Sequence, residues 1–226
     1  MNNIKLLIKH LQSFVTPERY SLFEKVISYR SKYITVVLED IYQSQNASAV
    51  LRTCDCFGIQ DVYAIENNNK FEIDPNVAMG ASKWLNVSYY NEQEYNTLNA
   101  ITDLRQKGYR IIATTPHEND VTLHDFDLNK GPAAFFFGTE LKGVSDEVKS
   151  NADEFMKIPM YGFTESFNIS VSAAIVLHHL TNKMRNSEIK WQLTDEQNNE
   201  VMLNWLKTTI KGSDLIAKRF LSKNRL

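Results

Sequence analysis

Cysteine is scarce in this sequence: the 226 residues contain only Cys54 and Cys56, one residue apart. With no second Cys or His cluster nearby, neither a disulfide framework nor a zinc site is indicated, and both read as helix-packing thiols in a reducing compartment. Long hydrophobic runs are also missing. No apolar stretch reaches the roughly 20 residues needed to cross a bilayer, and the opening MNNIKLLIKH lacks an apolar core followed by a small-residue cleavage site. The expectation is a soluble cytoplasmic protein with no membrane partner. Glycine is sparse, with eight residues, and none falls in a GxGxxG fingerprint or before a Gly-Lys-Ser/Thr ending. That disfavours a nicotinamide-dependent oxidoreductase and a Walker-type nucleotide site.

A length of 226 residues at 43% hydrophobic suits one well-buried domain with appended elements. The net charge of −2 is low for a nucleic-acid binder, but the sum hides an asymmetry. Residues 1–32 carry Lys5, Lys9, Arg19, Lys25, Arg30 and Lys32 against two Glu, and residues 205–226 carry Lys207, Lys211, Lys218, Arg219, Lys223 and Arg225 against Asp214 alone. The ends therefore carry +4 and +5 and the middle −11. Basic ends around an acidic centre fit a polyanion gripped by the extensions; solvated helix faces and a disordered tail account for the charge equally well.

Residues 4–30 place apolar side chains at helical spacing, broken at Thr16-Pro17, where Thr16 can cap and Pro17 can open a second helix. ITVVLED (34–40) reads as a strand covered on both faces. Ala47, Val50, Leu51, Cys54 and Phe57 then form a helical stripe ended by Gly58, and VYAIE (62–66) completes a βαβ unit. Further strands are expected at 84–90, 110–115, 133–137 and 155–160, with helices at about 93–107, 145–150 and 168–184. This alternation means an α/β domain with a mostly parallel sheet. Asn67-Asn68-Asn69 marks an exposed turn. Beyond Lys190, Thr194 precedes an acidic first turn and two helices separated by Gly212-Ser213. The expected division is an N-terminal helical extension (1–32), an α/β domain (33–186) and a C-terminal helical arm (187–226).

Three segments carry candidate chemistry. In Asn46-Ala-Ser-Ala-Val-Leu-Arg52-Thr53, polar residues follow a strand and enter a helix, so they can project from the sheet's carboxyl edge. Asn46 could simply be an N-cap. Arg52, between Leu51 and an apolar Cys54–Phe57 stretch, is expected to need an anionic or hydrogen-bonding partner. In FFFGTELKGVSDE (135–147) a strand runs into Gly138, then Glu140, then Gly143, before a helix capped by Ser145. In IPMYGFTESFNISVSAAIVLHHL (158–180) a strand ends in Ile158-Pro159-Met160, and Ser166-Phe167-Asn168 opens a long apolar helix after a loop with Gly162 and Glu165. Ser166 could cap, but it lies in no G-x-S-x-G elbow. His178 and His179 lie about three turns further along and read as packing or surface residues.

In this order and spacing the three segments resemble the three motifs of the SpoU (TrmH-type) RNA 2'-O-ribose methyltransferases, from about Ile34 to Leu180, and the flanking helices look like those of the TrmH subgroup. The resemblance implies an α/β domain with a deep C-terminal trefoil knot, an exception to the rule against knots. It also implies S-adenosyl-L-methionine bound by Thr114, Gly138, Glu140, Ile158, Met160, Phe167 and Asn168, with Phe167 standing where the family usually has Leu. A homodimer is implied, with Arg52 serving the partner's site, and no metal is required.

Ribose methylation needs a nucleophile held in line, a phosphate anchor and a base or its equivalent. Asn46, Arg52, Glu140, Ser166 and Asn168 stand at the matching positions. A guanidinium is essentially never deprotonated, so Arg52 is read as anchoring the adjacent phosphate and stabilising alkoxide charge. Ser166 and Asn168 would orient Arg52 or the phosphate, Asn46 would fix the nucleotide or Arg52, and Glu140 would hold the active-site loop. The expected substrate is the D-loop guanosine at position 18 of tRNA; an rRNA or another tRNA position, or a non-catalytic RNA-binding factor of the same fold, are the alternatives.

Overall fold

The β-branched run Ile34–Glu39 forms the first strand, β1, and every residue in it is buried. In the computed structural model, which describes residues 2–115 and 121–223, β1 pairs in parallel with β2 (Asp61–Ile65) on one side and with β6 (Ala133–Phe137) on the other. Strands β3 (Asn86–Tyr90), β4 (Arg110–Thr114), β5 (Val121–Thr122) and β7 (Glu154–Lys157) complete a sheet ordered β3-β2-β1-β6-β4-β7-β5, with every pairing parallel. The strand order reverses between β1 and β6. Open α/β sheets bind their ligands outside the carboxyl ends of the strands at such a switch point.

Two-residue periodicity sends alternate side chains to opposite faces. Val36, Leu38, Phe135 and Phe137 pack on one face with Val50, Leu51 and Cys54 of α3 (Ser44–Phe57) and Ala173, Val176, Leu177 and Leu180 of α7 (Ile169–Arg185). Val37, Ala134 and Phe136 pack on the other with Ala100, Ile101 and Leu104 of α5 (Thr97–Gln106) and Val148 of α6 (Asp146–Asn151). Each of these large apolar side chains contributes about 1.5–3 kcal/mol on burial. A short helix, α4 (Pro75–Ala78), capped by Asp74, precedes β3.

The chain divides into two compact units, residues 32–191 and residues 1–31 with 192–226. The smaller unit contains α1 (Asn2–Gln12), α2 (Pro17–Ile27), α8 (Asp195–Thr209) and α9 (Ser213–Lys223), so both chain ends contribute to one helical body. Thr16 accepts from the Arg19 backbone with Pro17 opening α2, and Thr194 and Gln197 form a capping box on α8. Phe23 and Trp205 meet edge-on at 5.6 Å in its core. Among the described residues no helix is long and apolar enough to cross a membrane.

The basic ends are less uniform than their composition implies. Arg30 is buried over the Trp205 ring at 5.2 Å, and Lys32 pairs with Asp61 at 3.2 Å, so neither is a free surface charge. Lys207 pairs with Asp214 at 3.3 Å, and Arg225 lies outside the described residues. Lys5, Lys9, Arg19, Lys25, Lys211, Lys218, Arg219 and Lys223 remain exposed. The thiols also differ: Cys54 is buried in the helix packing, but Cys56 is exposed.

Immediately after β1, Asp40 turns the chain at φ 57°. Its carboxylate accepts hydrogen bonds from the backbone N–H groups of Asn67 (3.2 Å), Asn68 (2.7 Å) and Asn69 (2.7 Å), and from Asn68 Nδ2 (2.9 Å). The triple asparagine is therefore a cradle for this carboxylate rather than only an exposed turn. Burial alone pushes the Asp40 carboxyl up, but the bonds from Asn68, Asn69 and Asn67 outweigh it and hold its pKa below the ordinary value.

With the folded value depressed, the stabilisation is fully present above the unfolded carboxyl pKa of about 3.9 and is lost as pH falls through the folded value. Asp40→Asn keeps a residue tolerant of positive φ but removes the charge. Urea unfolding is expected to show a loss of about 1–2 kcal/mol near neutral pH, reduced by solvent screening. The gap to wild type should close as the pH is lowered past about 4.

Candidate active site

The sheet's carboxyl edge is organised by Glu39, the last residue of β1, which is only 3% exposed. Its Oε1 accepts from Thr97 Oγ1 (2.7 Å) and Ser145 Oγ (2.7 Å), and its Oε2 from the Ser145 backbone N–H (2.8 Å). Ser145 also caps α6 by accepting from the Val148 N–H at 3.2 Å. Sequence reasoning identified the cap but not the carboxylate behind it.

Strand β6 enters the site at Gly138. The next five residues close on themselves: the Thr139 N–H donates to the Gly143 carbonyl (3.0 Å), and the Gly143 N–H donates back (2.8 Å). Gly143 turns at φ 68°. A Cβ on residue 138 would lie 2.0 Å from the Gly143 carbonyl oxygen, a distance no side chain can occupy. The group that closely approaches Gly138 is the chain's own backbone at Gly143.

Glu140 projects from this loop into contact with two other segments. Its Oε1 accepts from Asn46 Nδ2 (2.9 Å) and Asn168 Nδ2 (2.5 Å), and Asn168 Nδ2 also donates to Asn46 Oδ1 (3.0 Å). Three residues from three distant segments thus form one cluster. Asn168 caps α7, its Oδ1 accepting from the Ser170 N–H at 2.8 Å. Helix α3 starts a turn earlier than expected, with Gln43 at the cap position, so Asn46 lies inside the helix and is no cap; its amide also donates to Gln43 Oε1 at 2.8 Å.

Beside this cluster is a cavity of about 330 Å³ lined by the ends of β4, β6 and β7 and by the start of α7. Thr114, Gly138, Glu140, Ile158, Met160 and Phe167 all line it. Asn168 does not, and acts instead in the hydrogen-bond cluster. Thr114 Oγ1 donates to the Phe136 carbonyl at 2.7 Å, tying β4 to β6 at the cavity floor. Ser166 lines the cavity, is exposed, and makes no hydrogen bond among the described residues; the helix cap is Asn168.

Arg52 is not where local sequence suggested. It is exposed, on the same face of α3 as Gln45 and Cys56, and has no hydrogen-bonding or anionic partner among the described residues. The 3.6-residue period carries it to the side opposite Leu51 and Cys54. Residues 172 and 176 were missed: Ser172 and Val176 line the cavity one and two turns beyond Asn168 on α7, a spacing that helical periodicity would have revealed. Lys142, between Glu140 and Gly143, was also missed. His178 meets Phe57 edge-on at 5.9 Å and His179 meets His124 at 5.0 Å, neither as a partner of Ser166. Among the described residues no group of three or more His, Cys, Asp or Glu side chains is arranged to hold a metal ion.

Residues 33–178 match the SpoU rRNA Methylase family. The chain is 41% identical, over 91% of its length and 92% of the relative's, to the tRNA (guanosine(18)-2'-O)-methyltransferase of Borreliella burgdorferi. It is 30% identical to the enzyme of that name from Thermus thermophilus, covering 85% of this chain and 97% of that one. Among solved structures, the TrmH/SpoU tRNA modifying enzyme of Aquifex aeolicus superposes with a TM-score of 0.76 at 26% identity, covering 86% of this chain and 98% of that one.

Gly138→Ala is expected to open the 139–143 closure, at a cost of about 1–3 kcal/mol for forced overpacking. Hydrogen exchange should then reveal lost protection at the Gly143 amide, and thermal melting a lower midpoint. A variant that keeps wild-type protection at Gly143 would contradict the close approach described here.

Proposed function

The chain belongs to the SpoU methylase family, and from that premise we propose that it transfers the methyl group of S-adenosyl-L-methionine to the ribose 2'-hydroxyl of guanosine 18 in tRNA. The observation that carries this reading is the meeting of Asn46, Glu140 and Asn168, from three separate segments, at the edge of a cavity of about 330 Å³. That volume falls within the roughly 300–1,000 Å³ of small-molecule sites.

The cavity's residues fit such a cofactor. Ile158, Met160, Phe167, Met156 and Val176 offer apolar walls for a purine, and Thr114, Thr115 and Glu140 offer polar groups. The close-packed Gly138 loop brings backbone, rather than side chain, to the cavity wall. When bound, the cofactor would supply an electrophilic methyl on a sulfonium for the ribose oxygen, with S-adenosylhomocysteine as the leaving group and the hydroxyl proton passing to solvent. Everything else asked of the protein is positioning and electrostatics.

In this reading Glu140 sets the loop by accepting from Asn46 and Asn168, and Asn46 and Asn168 in turn fix the nucleotide's approach. Ser166, exposed on the cavity's rim, hydrogen-bonds the RNA backbone or Arg52. Arg52 stays protonated, pins the phosphate next to the target ribose, and stabilises negative charge developing on its oxygen. Its exposed position, without a partner among the described residues, supports service to a second subunit's site.

The homodimer is part of the proposal. Its support is the apolar exposure of Tyr161, Phe163 and Val171, along the loop after β7 and the first turn of α7. A trefoil knot, with the 158–180 segment threaded through a loop, is likewise proposed from the family resemblance. The exposed cations of the two end segments, Lys5, Lys9, Arg19, Lys25, Lys211, Lys218, Arg219 and Lys223, would grip the RNA body through its phosphates. A cytoplasmic location suits the tRNA substrate and two cysteines that form no disulfide.

The test is transfer of labelled methyl from S-adenosyl-L-methionine to unmodified tRNA and, separately, to rRNA, followed by nucleoside analysis and mapping. Wild-type protein is expected to produce 2'-O-methylguanosine at position 18 of tRNA, and Arg52→Ala to lower the rate by about 10²-fold or more. Product on rRNA alone would move the substrate, and no transfer to either RNA by folded protein that binds the cofactor would favour an RNA-binding factor.

A further inference from the structure

Among the described residues, four of the side chains around the cavity are charged: Glu140, Lys142, Lys149 and Glu165. Two are already engaged. Glu140 accepts from the amides of Asn46 and Asn168, and Lys149 pairs with Asp146 at 3.2 Å. The side chains of Lys142 and Glu165 are exposed and make no hydrogen bond or ion pair among the described residues, with each other or with any third group.

These two charges come from different segments. Lys142 sits on the self-closed loop after β6, where its own backbone N–H donates to Thr139 Oγ1 at 3.2 Å. Glu165 sits on the connection between β7 and α7. A cation and an anion on the rim of one cavity, held on separate backbones and unpaired, form a template for a ligand that carries both signs. An α-amino acid group, with an ammonium and a carboxylate on one carbon, is such a ligand.

We propose that Lys142 binds the carboxylate, and Glu165 the ammonium, of the amino-acid tail of the cofactor. This rests on reading the cavity as the S-adenosyl-L-methionine site, and it names two recognition residues that the motif resemblance did not assign. The remainder of the cofactor, its adenosine and thioether part, is left to the apolar walls and loop backbone. The two ends of the ligand are therefore recognised by separable parts of the site.

Isothermal titration of the full chain separates them. S-adenosylhomocysteine carries the tail; 5'-methylthioadenosine keeps the nucleoside and sulfur but lacks it. Lys142→Met and Glu165→Gln are each expected to weaken S-adenosylhomocysteine about three- to tenfold, the range of an exposed to partly enclosed charge pair. Affinity for 5'-methylthioadenosine should be unchanged, and Lys142→Arg should retain most of the binding. Unchanged S-adenosylhomocysteine affinity in both variants overturns the assignment, as does equal weakening of both ligands, which would mean a general disturbance of the cavity. If Lys142→Met weakens tRNA and not S-adenosylhomocysteine, Lys142 belongs to a phosphate and the proposal fails. Wild-type protein that binds neither nucleoside removes the cofactor reading itself, a result distinct from all of these.

Discussion

A carboxylate placed where water cannot reach it must be given partners, because desolvating an unpaired charge costs more than a folded chain can spare. Glu39 meets that demand with three donors from two segments that lie 58 and 106 residues further along the chain. Satisfying one buried anion thus fixes the start of α5 and the start of α6 relative to the end of β1. The loop that precedes α6 has little freedom left, since its other end is held by the pairing of Phe137 with Leu38. Thr97 extends the arrangement: while donating to Glu39 it accepts from Asn67 Nδ2 at 2.9 Å, and so connects to the asparagine cradle around Asp40.

The site proper is built on that frame by amide chemistry. One oxygen of Glu140 gathers the amides of Asn46 and Asn168, residues 122 positions apart in the sequence. Each of the three is anchored independently: Asn46 inside α3, Glu140 on a loop closed by two backbone bonds, and Asn168 at the cap of α7. A cluster whose members are already held by separate elements loses little further freedom when a ligand arrives, which is what preorganisation requires.

Much of this was legible in the sequence where local chemistry decides structure. The continuous apolar strands, the caps at Thr16, Ser145 and Thr194, and the stop at Gly58 all follow from residue type and near neighbours. Four features were not. Strand β5 has only two residues, too few for any periodicity. The start of α3 was hidden because Ser44 and Gln45 read as loop, which left a cap as the plainest structural reading of Asn46. Arg52 was judged by its neighbours in sequence rather than by its angle around the helix, and so was expected against protein when it faces solvent. Glu39 could not be found locally at all, because nothing within ten residues of it reveals a partner at position 145. The cavity residues came from motif resemblance, and the structure brings all of them to its wall except Asn168.

The closed turn between Gly138 and Gly143 limits how this segment can vary among related sequences. Its circumference is set by backbone in van der Waals contact with backbone, so one residue more or fewer would break both closing bonds at once. Length variation, the usual latitude of surface loops, is closed to it. Variation is left to side chains that take no part in the closure or in the proposed recognition, above all the solvent-exposed Leu141. Related chains should therefore keep a constant spacing between these glycines while residue 141 drifts, and a gap placed there in an alignment marks an alignment error rather than an insertion.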